Sequence, residues 1–174
     1  NNCVDDSSVV TNNNLPFMGV ASTFLKGKIP CRIARISFSG ELAFEVYVKS
    51  GFANTMMDLL WENAKKYDGC LYGLEALGAL RVEKGHVTAA ELDGRVTIDD
   101  AGLSKMASTK KSYIGSAMRK RGVLKNNDRE ILVGFFPVNL KETFNAGTIV
   151  CEQNNIKGQG IGRITSVTYS PELR

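Results

Sequence analysis

The chain has 174 residues, of which 43% are hydrophobic and 23% are charged, with a formal net charge of +4. This composition is typical of a globular protein that forms one compact domain or two small ones. No apolar run approaches the roughly 18 residues of a membrane span, and the first six residues lack the basic start and the apolar core of a signal peptide.

The four cysteines are scattered at long intervals and form no CxxC pair: Cys3, Cys31, Cys70 and Cys151. This spacing argues against a zinc ribbon and against a dense disulfide framework. The sequence therefore predicts reduced thiols in a cytoplasmic compartment.

The first 14 residues are polar and rich in Asn and Ser, which predicts a loose lead-in. An extended segment begins at Leu15, and residues 26–30 turn the chain into a hairpin.

The segment Arg35–Val48 is the strongest hairpin pattern, because two alternating runs flank the turn cluster at residues 39–41. Alternation places Glu45 and Tyr47 on one face, about 7 Å apart. The opposite, core face is predicted to carry Phe44, Val46 and Val48. A small planar ligand with an amide-type donor edge could lie across the carboxylate and the phenol. The alternative is that Glu45 is only a solvated charge and Tyr47 an amphipathic cover.

Two helices are predicted to follow the hairpin. Apolar residues between Phe52 and Tyr67 recur at spacings of three and four, so this helix should cover the apolar face of the sheet. A second helix runs from Leu74 to Val82 and stops before Gly85. The nearby His86 is the only histidine and has no partners at metal-ligand spacing, so no metal site is predicted.

The second half of the chain changes in character. Residues 114–121 predict a short helix, and the apolar runs 131–136, 148–151 and 161–169 predict strands separated by Asn and Gly turns. The fold class is therefore α+β. We expect a partial mixed α/β domain over residues 1–104 and an incomplete small β-barrel or sandwich over residues 105–174.

A basic tract lies between Lys105 and Arg129, where eight Lys and Arg residues face the single acid Asp128. This excess of charge could meet a polyanion, although a solvated basic face is the commoner explanation of such a run. The glycines between Gly158 and Gly162 open no helix, so they form a turn and not a phosphate loop.

Several segments together resemble the aminomethyltransferase (glycine-cleavage T-protein) superfamily, and most nearly the C-terminal folate-binding region of the sarcosine oxidase α subunit. The resemblance spans residues 15–173. It is carried by segments that are specific only in combination: Phe17-Met-Gly-Val20, Phe38-Ser-Gly-Glu-Leu-Ala-Phe-Glu45, Tyr72–Gly85, Glu91-Leu-Asp-Gly94 and Gly162–Leu173.

The resemblance implies a tetrahydrofolate site. The family's hairpin glutamate, which holds the pterin ring, matches Glu45, and a tyrosine beside the folate matches Tyr47. A pterin offers two parallel N–H donors, which a carboxylate accepts in a bidentate manner. Phe38 stands where the motif often has tyrosine, and it keeps an aromatic face but no hydroxyl. Arg81 and Glu83 match the family's LRxE segment. They could contact the ligand, or they could form an ion pair that stabilises the helix end.

The resemblance also has departures. Leu77 stands where T-proteins carry a folate-contacting arginine, which favours the oxidase branch. The family's catalytic aspartate lies in an N-terminal half that this chain does not match, so no catalytic residue is assigned. We therefore expect a fragment, inactive alone, of an enzyme that converts sarcosine to glycine and H2O2 and gives 5,10-methylenetetrahydrofolate. Its FAD, FMN and NAD lie outside this chain, its partners are the other subunits of a hetero-oligomer, and no membrane is involved.

Two alternatives remain open. One is a stand-alone folate-dependent aminomethyltransferase or demethylase. The other, which we favour less, is a nucleic-acid-binding module that uses the basic tract. The same tract could instead attract the glutamate tail of a folate, through Arg119, Lys120 and Arg121.

Overall fold

The computed structural model describes residues 2–139, 141–154 and 158–173. The chain divides into two compact units, Asn1–Lys84 and Gly85–Arg174. The boundary expected between residues 104 and 105 falls inside the second unit, and as a domain boundary it stays a prediction. The mixed α/β character of the chain is confirmed.

The first unit is built on a three-stranded antiparallel sheet of order β1-β2-β3. Its strands are β1 (Val20–Leu25), β2 (Ile29–Ala34) and β3 (Glu45–Val48). Positive φ angles at Gly27 and Lys28 make the tight connection between the first two strands.

The predicted hairpin exists, but its first strand and its turn were placed wrongly. Ala34 pairs with Glu45, so the connection is the ten-residue loop 35–44 and not a tight turn at residues 39–41. The cause is local hydrogen bonding, because Ser37 Oγ accepts from the Gly40 amide at 2.8 Å. Side chains that bond the backbone in this way compete with the strand ladder.

One face of the sheet forms the core of the first unit. The buried cluster joins residues from all parts of the unit before the loop: Val4, Leu15, Leu25, Ile29, Cys31 and Ile33. Helix α1 (Ala53–Lys65) packs Met56 and Leu59 against this cluster, which confirms that the helix covers the sheet. Val46 and Val48 also pack there, whereas Phe44 is 42% exposed and was wrongly assigned to the core face.

The polar N-terminal segment is not the loose lead-in that its composition predicted. Val4 is only 4% exposed and forms a β-bridge with Leu25. The Asp5 amide donates to the Phe24 carbonyl and the Lys26 amide to the Cys3 carbonyl, both at 2.9 Å. A single buried apolar side chain and two backbone hydrogen bonds thus attach this segment beside β1.

Helix α2 (Leu74–Lys84) completes the first unit. It ends where the sequence predicted, because Gly85 has a φ of +74°. That left-handed conformation is easy for glycine and stops a helix.

The described residues of the second unit form short elements only. Its two-stranded antiparallel sheet consists of β4 (Ile149–Val150) and β5 (Gly162–Arg163). The helix predicted over residues 114–121 was wrong, since that region holds turns and the 3-10 turn Met118–Lys120. A second 3-10 turn, Gly122–Lys125, follows it. Gly115 adopts a φ of +89°, which interrupts a segment too short to form a stable helix.

The predicted C-terminal barrel is not confirmed, because the described residues of the second unit form no closed barrel. The apolar run 131–136 pairs with no strand of the described residues, and its Leu132 amide donates instead to the Asp100 carbonyl at 2.8 Å. Most of its side chains are exposed. No helix in the described part of the chain is long and apolar enough to cross a membrane.

Candidate functional site

Glu45 and Tyr47 lie side by side on the exposed face of β3, as the alternation predicted. The Tyr47 hydroxyl donates a hydrogen bond to Glu45 Oε2. This bond, together with the negative charge of Glu45, raises the pKa of the Tyr47 phenol. A carboxylate has about four acceptor positions on its two oxygens, so Tyr47 orients the group and leaves acceptor capacity for a ligand.

Arg32 shares this face and was not singled out from the sequence. The strand register places Arg32 directly opposite Tyr47, with Ser22 of β1 on its other side. Directly opposed side chains have Cβ atoms about 5 Å apart. The signal was present in the alternation of exposed Pro30 and Arg32 with the buried residues of β2.

The loop 35–44 is held against the end of α2. Lys84 Nζ donates to the Ser37 carbonyl at 2.8 Å. A Cβ added to Gly40 would lie 3.3 Å from Lys84 Cδ, so the lysine stem also passes close to the loop backbone. Lys84 therefore fixes the loop that carries Phe38.

The other predicted site residues lie on this loop and on α2. Phe38 is 37% exposed, and Arg81 and Glu83 are half-buried in the last turn and a half of the helix. Among the described residues, only Tyr47 donates a hydrogen bond to Glu45, so Glu45 and Tyr47 are in direct contact. The loop that carries Phe38 is bonded to helix α2, which carries Arg81 and Glu83, through Lys84.

The Glu45 face is open. Glu45 is exposed, and Tyr47 is 52% exposed. Neither the cavity of about 860 Å³ nor the one of about 470 Å³ is lined by either residue. Within the described residues no cluster of three or more side chains could hold a metal ion.

A buried carboxylate in the second unit was missed by sequence reasoning. Glu91 is 5% exposed, and its Oε2 accepts from the Thr88 amide at 2.8 Å and from Thr88 Oγ1 at 3.0 Å. Its Oε1 accepts from Ser166 Oγ at 2.5 Å. Burial acts to raise the pKa of Glu91, but the hydrogen bonds from Ser166 and Thr88 outweigh it and lower this pKa to about 2.

Asp93 makes a second link between the same two segments. Arg163 Nη2 donates to Asp93 Oδ2 at 2.5 Å, and Arg95 also pairs with this carboxylate. The two arginines hold the pKa of Asp93 well below its usual range. The Glu91–Gly94 and Gly162–Ser166 motifs are therefore joined by two carboxylates.

Two further aspartates bind arginines of the basic tract. Asp99 accepts from Arg119 Nε at 2.7 Å and from Nη2 at 2.6 Å. Asp100 accepts from Arg129 Nε at 3.0 Å and from Nη2 at 2.5 Å. These bonds hold the pKa of both carboxyls below the usual range, that of Asp100 at about 2. The pairs are bidentate, which fixes the guanidinium planes.

Comparison with known proteins agrees with the motifs. The family model described as the GCVT N-terminal domain matches residues 2–111. The chain belongs to the GCVT family. The resemblance inferred from the sequence motifs is thus confirmed.

Individual relatives of this chain are enzymes. The chain is 36% identical over 162 residues to the sarcosine oxidase subunit alpha of Rhizobium meliloti (strain 1021), a match that covers 91% of the chain and 16% of that protein. It is 30% identical over 169 residues to the sarcosine oxidase subunit alpha of Corynebacterium sp. (strain U-96), covering 94% and 18%. It is 30% identical over 146 residues to the aminomethyltransferase of Burkholderia multivorans, covering 82% and 37%.

The chain thus spans between 16% and 37% of the length of these three relatives. The GCVT match covers the whole of the sheet, both helices and the Glu45–Tyr47 pair. The chain accordingly belongs to an enzyme family, and the candidate site lies in the part that the family model matches.

Proposed function

We propose that this chain binds tetrahydrofolate and contributes the pterin-holding hairpin of an enzyme that transfers a one-carbon unit. The observation that supports this function is the carboxylate of Glu45, oriented by the hydroxyl of Tyr47 on an accessible strand face. The donor edge of a pterin needs an acceptor of this kind.

The chemistry of the described residues fits the ligand. Glu45 accepts the two pterin N–H groups, Tyr47 keeps the carboxylate in orientation, and Phe38 offers an aromatic face near the end of α2. Glu83 and Arg81 are the remaining proposed contacts. Since the face of β3 is open, we propose that further polypeptide of a complete enzyme covers it and excludes water.

The finer assignment is the folate-binding part of a sarcosine oxidase α-type subunit that works with other subunits. Identity of 36% to such a subunit supports it. In that enzyme, sarcosine and O2 would give H2O2 and an imine, and the bound folate would accept the one-carbon unit as 5,10-methylenetetrahydrofolate while glycine leaves. The residues of this chain would only bind and orient the folate beside the imine. The flavins and NAD would be held elsewhere in the complex.

A stand-alone aminomethyltransferase is the second candidate, favoured by the 30% identity to that enzyme of Burkholderia multivorans. Both candidates use the same folate site. They differ in peroxide formation: the complete sarcosine oxidase should produce H2O2 from sarcosine, whereas an aminomethyltransferase should not. The 174-residue chain alone should produce none in either case, and peroxide from the purified chain would contradict its assignment as a folate-binding part.

Calorimetric titration of tetrahydrofolate tests the folate site. Glu45→Gln keeps the size of the side chain but replaces one acceptor oxygen with a donor, so we expect affinity to fall about tenfold or more. Glu152→Gln is the control, because it removes an exposed carboxylate in the second unit. Equal affinities of the wild type and the Glu45 variant would overturn the proposal.

Tyr47→Phe tests the orienting hydroxyl separately. It removes the donor to Glu45 Oε2 and leaves the carboxylate in place. We expect a smaller loss than for Glu45→Gln, about threefold to fivefold in affinity. A loss as large as that of the Glu45 variant would mean that the phenol contacts the ligand directly.

A further inference from the structure

A cavity of about 860 Å³ lies inside the second unit, in the region of the basic tract. Its lining consists of Asp99, Asp100 and residues between Ser108 and Ile131. Its volume falls within the range of about 300–1,000 Å³ that is typical of sites for small molecules.

The charge of this lining is strongly positive. Six basic residues face the cavity and only two acids do: Lys110, Lys111, Arg119, Lys120, Lys125 and Arg129 against Asp99 and Asp100. Both acids are already neutralised by the bidentate arginine pairs. The surplus of positive charge therefore belongs to the lysines.

Three of these lysines are left without an acid. In the described part of the chain, no carboxylate lies within ion-pair distance of the ammonium groups of Lys110, Lys111 and Lys120. Lys125 acts on Asp99 through its charge. Like charges held around one cavity repel each other and destabilise the fold, and a bound anion would relieve this repulsion.

The arginines add fixed geometry to this charge. Arg119 and Arg129 are each held at two points by a carboxylate, so their positions do not depend on a ligand. The hydroxyl groups of Ser112 and Ser116 also line the cavity and can donate to anionic oxygens.

From this arrangement we infer that the cavity binds a small anionic ligand that carries two or more carboxylate or phosphate groups. A small ligand fits better than a nucleic acid strand. Strand binding uses several aromatic side chains on which bases stack, and the single aromatic residue of this lining, Tyr113, has its hydroxyl bonded by Arg119 at 3.4 Å. The inference does not depend on the folate site in the first unit.

The test uses the full chain and two probes, inorganic tripolyphosphate and a tri-γ-glutamate peptide, measured by calorimetry. The cavity variant combines Lys110→Gln, Lys111→Gln and Lys120→Gln. Its matched control combines Lys28→Gln, Lys49→Gln and Lys141→Gln, which removes the same charge from exposed positions that do not line the cavity. A dodecathymidylate strand is titrated in parallel.

We expect at least one probe to bind the wild type, with affinity about tenfold lower in the cavity variant and less than about twofold lower in the control. Affinity should also fall as salt rises from about 50 to about 200 mM. Preference for one probe tells whether the ligand carries phosphates or carboxylates. Binding should raise the thermal midpoint of the wild type more than that of the cavity variant.

Three results would overturn the inference: neither probe binds, both variants lose affinity equally, or the oligonucleotide binds more tightly than either small probe. The cavity variant should fold, because removing charges that repel each other does not destabilise a chain. Circular dichroism checks this, and the single variant Lys120→Gln, with an expected loss of about twofold, provides the same comparison at one position.

Discussion

The hydroxyl of Ser166 donates a hydrogen bond to the carboxylate of Glu91 at 2.5 Å, across 75 residues of sequence. The same carboxylate accepts two hydrogen bonds from Thr88, which also lies in the second unit. The Arg163–Asp93 pair makes a parallel link, and the two contacts together fasten residues 162–166 to the loop 91–94. A unit with so little regular structure depends on side-chain contacts of this kind.

Ser166→Ala should destabilise the second unit. The substitution removes the Ser166 hydrogen bond to a buried carboxylate, and a hydrogen bond to a charged group contributes about 2 kcal/mol. Urea denaturation followed by far-ultraviolet circular dichroism measures the change. Ser112→Ala, an exposed serine, should change the free energy of unfolding by less than about 0.5 kcal/mol. Equal stability of the two variants would show that the Glu91 contact is not needed.

Acid should unfold the second unit between about pH 4.5 and about pH 2. Glu91 has a folded pKa of about 2 against an ordinary value of 4.5, and Asp100 about 2 against 3.8. The unfolded state therefore binds more protons in this window, and stability that is present above the ordinary pKa is lost as the pH falls through the folded pKa. For Glu91 the loss is of the order of 3 kcal/mol.

The variant Glu91→Gln tests the direction of this pH dependence. The variant should be less stable than the wild type near pH 7, and its free energy of unfolding should fall less steeply from about pH 4.5 to about pH 2.5. Denaturant midpoints at several pH values give the slope. The same slope in both proteins would contradict the assignment of this carboxylate.

Leu25→Ala should unfold the first unit more easily. Leu25 is 1% exposed in the cluster beneath α1, and removing a fully buried leucine side chain costs roughly 3 kcal/mol. Trp61, the only tryptophan, lies on α1, so its fluorescence reports on this unit. Leu74→Ala, at 85% exposure, should change stability by less than about 0.5 kcal/mol.

The loop 35–44 should loosen when its contacts with Lys84 are removed. Lys84→Met keeps the aliphatic stem beside Gly40 but deletes the hydrogen bond to the Ser37 carbonyl, so the Gly40 amide should exchange its hydrogen faster. Unchanged hydrogen exchange in Lys84→Met would mean that the bond between Ser37 and Gly40 holds the loop without Lys84.

Gly40→Ala should lower the free energy of unfolding by about 1–2 kcal/mol, because φ is +101° at this position.

Sequence patterns predicted some elements well and others poorly. Both helices of the first unit follow from apolar periodicity and a terminal glycine, and the pairing of Glu45 with Tyr47 follows from the two-residue period of a strand. The ends of the hairpin strands could not be predicted in this way. Ser37 accepts a hydrogen bond from the Gly40 amide, and this segment therefore does not pair with β3. The apolar run 131–136 resembled a strand, yet it pairs with no strand in the part of the chain that the structure describes.

The sequence by itself determined the family, the amphipathic helices and the face on which Glu45 lies, because each is written in local spacing and in short motifs. Only the tertiary structure decided that Val4 belongs to the core, that Arg32 stands opposite Tyr47, and that Glu91 meets Ser166. These contacts join residues far apart in the chain. No local period encodes which distant partner a strand, a carboxylate or an arginine will find, since that choice is made by packing and by the need of every buried polar group for a partner.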